Sequence, residues 1–269
     1  MKSHFLYLST AALLVGTGVS AQQFQYDGTT LGLSYSANTF GSGGGEEPRV
    51  SALTAVSYGN FGAEAYLAYS KENYQNADFF ETNTAGLRFL YSFSDAFAVG
   101  IYGQYNTRDR EPFLVGFTGP GNNNTSHGGI EMRGDYRGFD YVGYFGASNE
   151  KNTGGEDWYS TGLHVGRDFS NGLNLFAEVQ YDNYQETTTT IEDDVTAVKL
   201  GMTYDIGSAL PSVNRPIYLK TEVGRLRSDL LDETWTQGNI TVSIPLGRDA
   251  PEPPAFRGKR SLATESPSL

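Results

Sequence analysis

Phe97-Ala98-Val99-Gly100-Ile101-Tyr102-Gly103-Gln104-Tyr105-Asn106 is the stretch that decides the fold. In an extended strand, successive side chains point to opposite faces. Phe97, Val99, Ile101, Gly103 and Tyr105 therefore share one face, and Ala98, Gly100, Tyr102, Gln104 and Asn106 share the other. One face is mainly apolar and aromatic, and the other is small or polar. Working outward, the same length and alternation recur. Strands are expected near 29–38, 49–58, 61–70, 84–94, 97–107, 127–137, 139–149, 158–168, 173–184, 195–206, 216–226 and 236–246.

The connections set the topology. Gly59-Asn60, Asp95-Ala96, Gly138 and Phe169-Ser170-Asn171-Gly172 are tight turns with the Gly and Asn that such turns favour. The connection from Gly207 to Arg215, containing Pro211, is longer. Between these turns lie long polar connections at 39–48, 71–83, 108–126, 150–157, 185–194 and 227–235. Strands of roughly ten residues, joined alternately by short turns and long loops, are the pattern of a transmembrane barrel. Closure satisfies every backbone N–H and C=O inside a bilayer. The expected fold is all-β, an up-and-down antiparallel barrel of about twelve strands over 22–247, with the short turns periplasmic. Phe61, Phe97 and Phe139 each open the second strand of a hairpin, as a recurring aromatic belt would.

The ends read differently. Lys2, the apolar run from Phe5 to Val15 and the small-x-small site Val19-Ser20-Ala21 make 1–21 a signal peptide. The chain is thus expected to be exported to a bacterial outer membrane. Residues 248–269, with Pro251, Pro253 and Pro254, are expected to be a disordered periplasmic tail.

Composition excludes several function classes. The net charge is −12, and removal of the segment bearing Lys2 makes it more negative by one. Phosphate contacts need clustered Lys and Arg, so no nucleic-acid partner is expected. The absence of Cys removes disulfides and thiolate metal sites. Hydrophobic residues are only 38% of the chain, which suits strands that meet lipid with one face. The 33 glycines exceed the usual share of about 7%.

Alternation assigns the interior. Glu64, Arg88, Gln104, Glu131, Arg133, Asp135, Glu178, Lys199, Lys220 and Glu222 are expected to line the pore, with Asp140, Gln180, Asp182 and Asn239 on the same face. Acids outnumber bases, which favours neutral or cationic solutes over anions. Tyr66, Tyr102 and Tyr144 fall on this face too. They would either narrow the bore and stack on solute rings or pack a filled interior. In the loop 108–126, Phe113, Leu114, Val115 and Phe117 form an apolar patch. Burial of each is worth about 1.5–3 kcal/mol, so the loop is expected to fold inward as a constriction. Asp109 and Glu111 would then face the wall. The alternative is a subunit contact or an exposed loop.

With these features the chain resembles a small porin-type outer-membrane channel. The final strand, Asn239-Ile240-Thr241-Val242-Ser243-Ile244-Pro245-Leu246, resembles those read by the barrel-assembly machinery, although a tail follows it. The resemblance implies passive passage of small solutes, with outer-membrane lipid and that machinery as partners. A homo-oligomer is left open.

An enzyme is not expected, and neither is a cofactor or metal. Ser160 and His164 share a face, but positions i and i+4 of a strand lie about 13 Å apart. His127, beside Ser126, has no evident partner in the sequence. Glu192-Asp193-Asp194 lacks the spaced ligands of a calcium site and reads as a solvated loop. Gly41 to Gly45 is followed by no Gly-Lys-Ser/Thr and is no phosphate loop. The alternatives to a channel are a lipid or peptide hydrolase and a plugged structural or adhesion barrel.

Overall fold

A computed structural model describes residues 24–39, 45–74, 79–111, 122–151, 156–169, 172–186, 192–207, 215–230 and 232–247. The segments expected to be the signal peptide and the tail lie outside the described residues. Twelve strands follow one another: β1 (Gln25–Asn38), β2 (Gly45–Tyr58), β3 (Phe61–Tyr74), β4 (Phe79–Ser94), β5 (Phe97–Glu111), β6 (Asn122–Tyr136), β7 (Phe139–Lys151), β8 (Glu156–Asp168), β9 (Leu173–Glu186), β10 (Glu192–Asp205), β11 (Tyr218–Ser228) and β12 (Glu233–Leu246). Each pairs antiparallel with its chain neighbour. β1 pairs with β12 from Thr29↔Leu246 to Asn38↔Gln237, which closes the barrel. A closed wall of twelve strands tilted by roughly 40° has a backbone radius of about 12 Å.

The expected strand count holds, but most strands are longer than expected, and except at the start of β1 the added residues lie at the long-loop end. β3 runs on to Tyr74 and β4 begins at Phe79; β5 reaches Glu111 and β6 begins at Asn122. Asp109 and Glu111, expected in the constriction loop, are therefore strand residues, with Asp109 opposite both Glu81 and Asn122 and Glu111 opposite Phe79. Phe113 and Phe117 lie outside the described residues. Glu192-Asp193-Asp194, expected in a loop, begins β10. The physical reason is common to these segments. Past the bilayer the outward face meets water, so the ladder continues while the apolar alternation that marks a strand disappears.

Each tight turn appears where its residues require it. Gly59, Gly138 and Gly172 have φ of 57°, 76° and 77°. The β6–β7 turn also puts Arg137 at φ 56°, giving the two left-handed residues of a type I′ hairpin. In the longer β10–β11 connection, Asp205 Oδ1 accepts from the Gly207 and Ile217 amides at 2.9 and 3.1 Å, clasping its two ends.

The two faces separate cleanly. Outward-facing Leu33, Leu87, Ile101, Phe145, Leu200 and Val223 are more than half exposed and, with Val198 and others only slightly less so, form the lipid band. Inward-facing Tyr102 on the same strand as Ile101 is buried. At the short-turn end an aromatic girdle runs outside β1 to β5. Phe24 meets Tyr58, Phe61 meets Tyr91, Tyr91 meets Phe93 and Phe93 meets Phe97, at centroid distances of 4.9, 5.0, 4.9 and 5.8 Å. Phe61, Phe97 and Phe139 are the first residues of β3, β5 and β7, at the depth the sequence repeat implies.

Candidate functional site

The interior of the barrel is the candidate site. All of the expected pore-lining residues fall on the inward parity of their strands: Glu64 and Tyr66 on β3, Arg88 on β4, Tyr102 and Gln104 on β5, Glu131, Arg133 and Asp135 on β6, Tyr144 on β7, Glu178 on β9, Lys199 on β10, and Lys220 and Glu222 on β11. They do not play equal parts. Asp135 is exposed at the short-turn rim, whereas Arg88 and Glu131 are almost completely covered.

A charged belt crosses β3 to β6. Arg88 Nη1 donates to Glu64 Oε2 at 2.5 Å, and its Nε lies 2.8 Å from Glu131 Oε1. Arg133 completes the belt, with Nε 3.2 Å from Glu131 Oε1 and Nη1 3.5 Å from Glu64 Oε1. Two carboxylates three strands apart around the wall are thus held by two guanidiniums, whose planar forks suit such bridging. Gly100 makes room for this on β5, because a Cβ there would meet Leu90 Cδ2 at 2.7 Å and Glu131 Cγ at 3.4 Å.

A second cluster spans β7 to β11. His164 lies 3.6 Å from Asp140 Oδ2 and 3.5 Å from Glu178 Oε2, with its ring 5.0 Å from that of Phe176. Lys199 and Lys220 both act on the Glu178 charge. Lys220 also pairs with Glu222 and sits 5.0 Å over the Phe176 ring. Ser160 is not brought to His164, as strand geometry requires.

Three lumen aromatics, Tyr102, Tyr144 and Phe176, lie against the wall. The Tyr102 hydroxyl covers the glycines Gly129 of β6 and Gly146 of β7; a Cβ on Gly129 would come within 2.8 Å of it. The Tyr144 ring covers Gly162 of β8, where a Cβ would lie 2.5 Å from three ring and hydroxyl atoms. The Phe176 ring covers Gly201 of β10 in the same way. Glycine leaves a groove in a strand that a neighbouring ring fills. Tyr102 and Tyr144 are thus wall packing, and the sequence alternative of rings that narrow the bore does not hold for them.

Sequence reasoning missed two features. His127 does have partners: its Nδ1 contacts Ser148 Oγ of β7, and its Nε2 lies 3.0 Å from the Tyr102 hydroxyl. Residues 127 and 148 are register partners on adjacent strands, a relation that linear spacing hides. The other feature is a set of ion pairs at the long-loop end. Arg49 Nη2 meets Glu47 Oε1 at 2.6 Å on β2, and Arg108 of β5 reaches Glu72 of β3 at 2.7 Å. Extending the alternation two residues beyond Ser70 and Asn106 points to Glu72 and Arg108. Asp193, read as loop, is buried and accepts from Ser228 Oγ at 2.8 Å and the Leu230 amide at 3.0 Å. No metal-ligand cluster occurs among the described residues.

Between the two rims, the inward wall of β1, β2 and β12 is uncharged apart from the Glu47–Arg49 pair. On β1, β2 and β12 the inward residues include Thr30, Ser34, Ser36, Ser51, Thr241 and Ser243. Asn239 Nδ2 donates to Ser36 Oγ at 2.6 Å across the closing seam, and Thr241 donates to Asn239 Oδ1 at 2.8 Å. Ser51 Oγ stands over Gly32, 2.6 Å from where a Cβ would be. The interior is therefore lopsided, with braced charges on one side and small hydroxyls on the other.

No protein-family model matches the sequence, and no curated protein matches it. Solved structures do match in fold. The NanC porin aligns with a TM-score of 0.54 at 9% identity, over 80% of this chain and 98% of that one. The β domain of the Bordetella autotransporter BrkA aligns with a TM-score of 0.52 at 7% identity, over 82% and 99%. The KdgM porin aligns at 0.46 and 13% identity, over 79% and 98%. Identities this low speak to the fold alone, and that fold serves both a porin and an autotransporter. The chain has the fold of a bacterial outer-membrane β-barrel, closed by twelve antiparallel strands.

Proposed function

We propose that this barrel is a channel through which small hydrophilic solutes, neutral or cationic, diffuse across the outer membrane, with the long-loop end outward. The observation that carries this reading is the pairing of the lumen cations whose side chains are among the described residues. Arg49 is held by Glu47, Arg108 by Glu72, Arg88 and Arg133 by Glu64 and Glu131, and Lys220 by Glu222, while Lys199 lies in the field of Glu178. An anionic solute would have to displace a wall carboxylate to meet any of them. A neutral solute exchanges hydrogen bonds with water and with the hydroxyl wall at little cost.

One observation favours a second reading, a plugged structural barrel. Arg88, Glu131 and Asp182 are 0%, 1% and 0% exposed, so the interior is tightly filled around them. For the hydrolase reading, the serine that His127 contacts in the structure is Ser148. Both are buried, and the second imidazole nitrogen faces a tyrosine rather than a carboxylate.

Liposome swelling tests the proposal. Vesicles carrying refolded protein should swell several-fold faster in arabinose than in gluconate. Swelling no faster than in protein-free vesicles contradicts the channel and supports the plug. Faster swelling in gluconate contradicts the selectivity.

A further inference from the structure

At the short-turn end the outer surface of the wall divides into two arcs. Over β1 to β5, the girdle rings of Tyr58, Phe61, Tyr91, Phe93 and Phe97 have no cation at their depth among the described residues. Over β6 to β8 the rings carry arginines. The Arg137 guanidinium lies 5.0 Å from the centroid of the Tyr136 ring. That of Arg167 lies 4.9 Å from the centroid of Phe139 and 5.6 Å from that of Phe169. Register makes these one patch: Tyr136 is opposite Phe139, and Phe139 is opposite Arg167. We propose that this patch is a binding site for the headgroup phosphate of an anionic phospholipid. With the short turns in the periplasm, the orientation taken in the channel reading, that lipid belongs to the inner leaflet.

The charge at the patch is one-sided. Arg137 and Arg167 make no ion pair among the described residues. The acids nearest to them in sequence face the other way, since Asp135, Asp140 and Asp168 all have the inward parity of their strands. Asp140 lies over Gly166, and Asn174 Nδ2 donates to it at 3.5 Å and to Asp168 at 2.8 Å. The wall therefore puts the acids in the lumen and two positive charges outside. A phosphate answers that charge. Phosphatidylethanolamine carries the same phosphate, but its ammonium would meet two guanidiniums and no carboxylate, so an anionic headgroup fits better.

Depth and geometry point to a lipid rather than a dissolved anion. An interfacial aromatic girdle sits at the level of the headgroups. A guanidinium stacked on a ring has its plane fixed, and its N–H edge matches two phosphate oxygens. On the same face of β8 as Arg167, Leu163 belongs to the lipid band at 51% exposure, with Val165 between them. An acyl chain below a phosphate held by Arg167 would lie along these two side chains, a contact that free phosphate lacks. Arg137 is also an unusual choice for its place. It holds φ 56° in a type I′ turn, where Asn or Gly is the usual residue. Either of those would fit the backbone and remove the charge.

The test is the lipid that the refolded full chain retains when it is extracted into detergent from bilayers of phosphatidylethanolamine with a minor share of phosphatidylglycerol. Retained lipid is measured by mass spectrometry, and folding by the heat-dependent shift in gel migration. Phosphatidylglycerol should be enriched at least threefold over its share in the bilayer. Arg137→Gln and Arg167→Gln should each lower the enrichment, and together they should abolish it. Arg225→Gln removes a cation from the outward face of β11 at the long-loop end and should leave it unchanged. Retention at the bilayer ratio in the unaltered chain overturns the proposal, whether or not the variants fold. So does an enrichment that survives the double substitution, or one that Arg225→Gln lowers as much. Displacement of the lipid by inorganic phosphate would mark a site for the free anion and overturn the lipid assignment. No readout here uses conduction. A barrel that retains phosphatidylglycerol without conducting sinks only the channel, and one that conducts without the enrichment sinks only this site.

Discussion

Arg88 on β4 and Glu131 on β6 form an ion pair at 2.8 Å across the intervening strand β5, and both side chains are sealed from water. Removing one member of a buried pair leaves the other charge uncompensated, at about 3–5 kcal/mol. Arg88→Met should therefore lower stability by that order in urea unfolding from micelles. Adding Glu64→Gln and Glu131→Gln to it should recover part of the loss. Full stability in the single variant would mean that the belt does not brace the wall.

The seating of Tyr102 makes a different prediction. A Cβ on Gly146 would press on the Tyr102 hydroxyl and come within 2.8 Å of His127 Cε1. Gly146→Ala should lift the ring off the wall and into the bore, at about 1–3 kcal/mol of overpacking. Single-channel conductance should fall while the barrel stays closed. Tyr102→Ala in the same chain should restore it. A fall that the second substitution leaves untouched would place the obstruction elsewhere.

Selectivity should follow the acid excess of the lumen. The structure adds Glu47, Glu72 and Asp193 to the acids expected from sequence, and Arg49 and Arg108 to the bases. Because these charges are largely paired, the preference for cations should be mild. It should also fade between 0.1 and 1 M salt, as the screening length falls from about 10 to 3 Å. Reversal potentials under a KCl gradient measure it. A clear anion preference would show that the cations dominate the bore.

Orientation is tested by labelling. Asp229 and Asn60 lie at opposite ends of the wall, beside the β11–β12 and β2–β3 connections. Cysteine at Asp229 should react with a membrane-impermeant reagent on intact cells, and cysteine at Asn60 should not. The reverse pattern would invert the barrel.

How much of this was legible in sequence follows from the range of each signal. Alternation is local, so the inward parity of Glu64, Arg88, Tyr102 and Lys199 could be read directly. The turn residues Gly59 and Gly172 were equally plain, since left-handed backbone favours glycine. Strand ends such as Glu72 and Arg108 were not, because outside the bilayer nothing forces the opposite face to be apolar. Nor could the sequence show that Arg88 reaches Glu131, that Tyr102 lies on Gly129 and Gly146, or that His127 meets Ser148. Those contacts depend on register between strands and on which way a side chain leans across its neighbours. Register is set by the whole closed wall and not by any one segment.

The central claim is that the interior conducts. Its most direct test is single-channel recording of the refolded protein in a planar bilayer, in symmetric KCl. Discrete, stable open steps are expected, and they should shrink in Gly146→Ala. Silence from correctly folded, inserted protein would contradict it and leave a barrel whose charged belt closes the lumen.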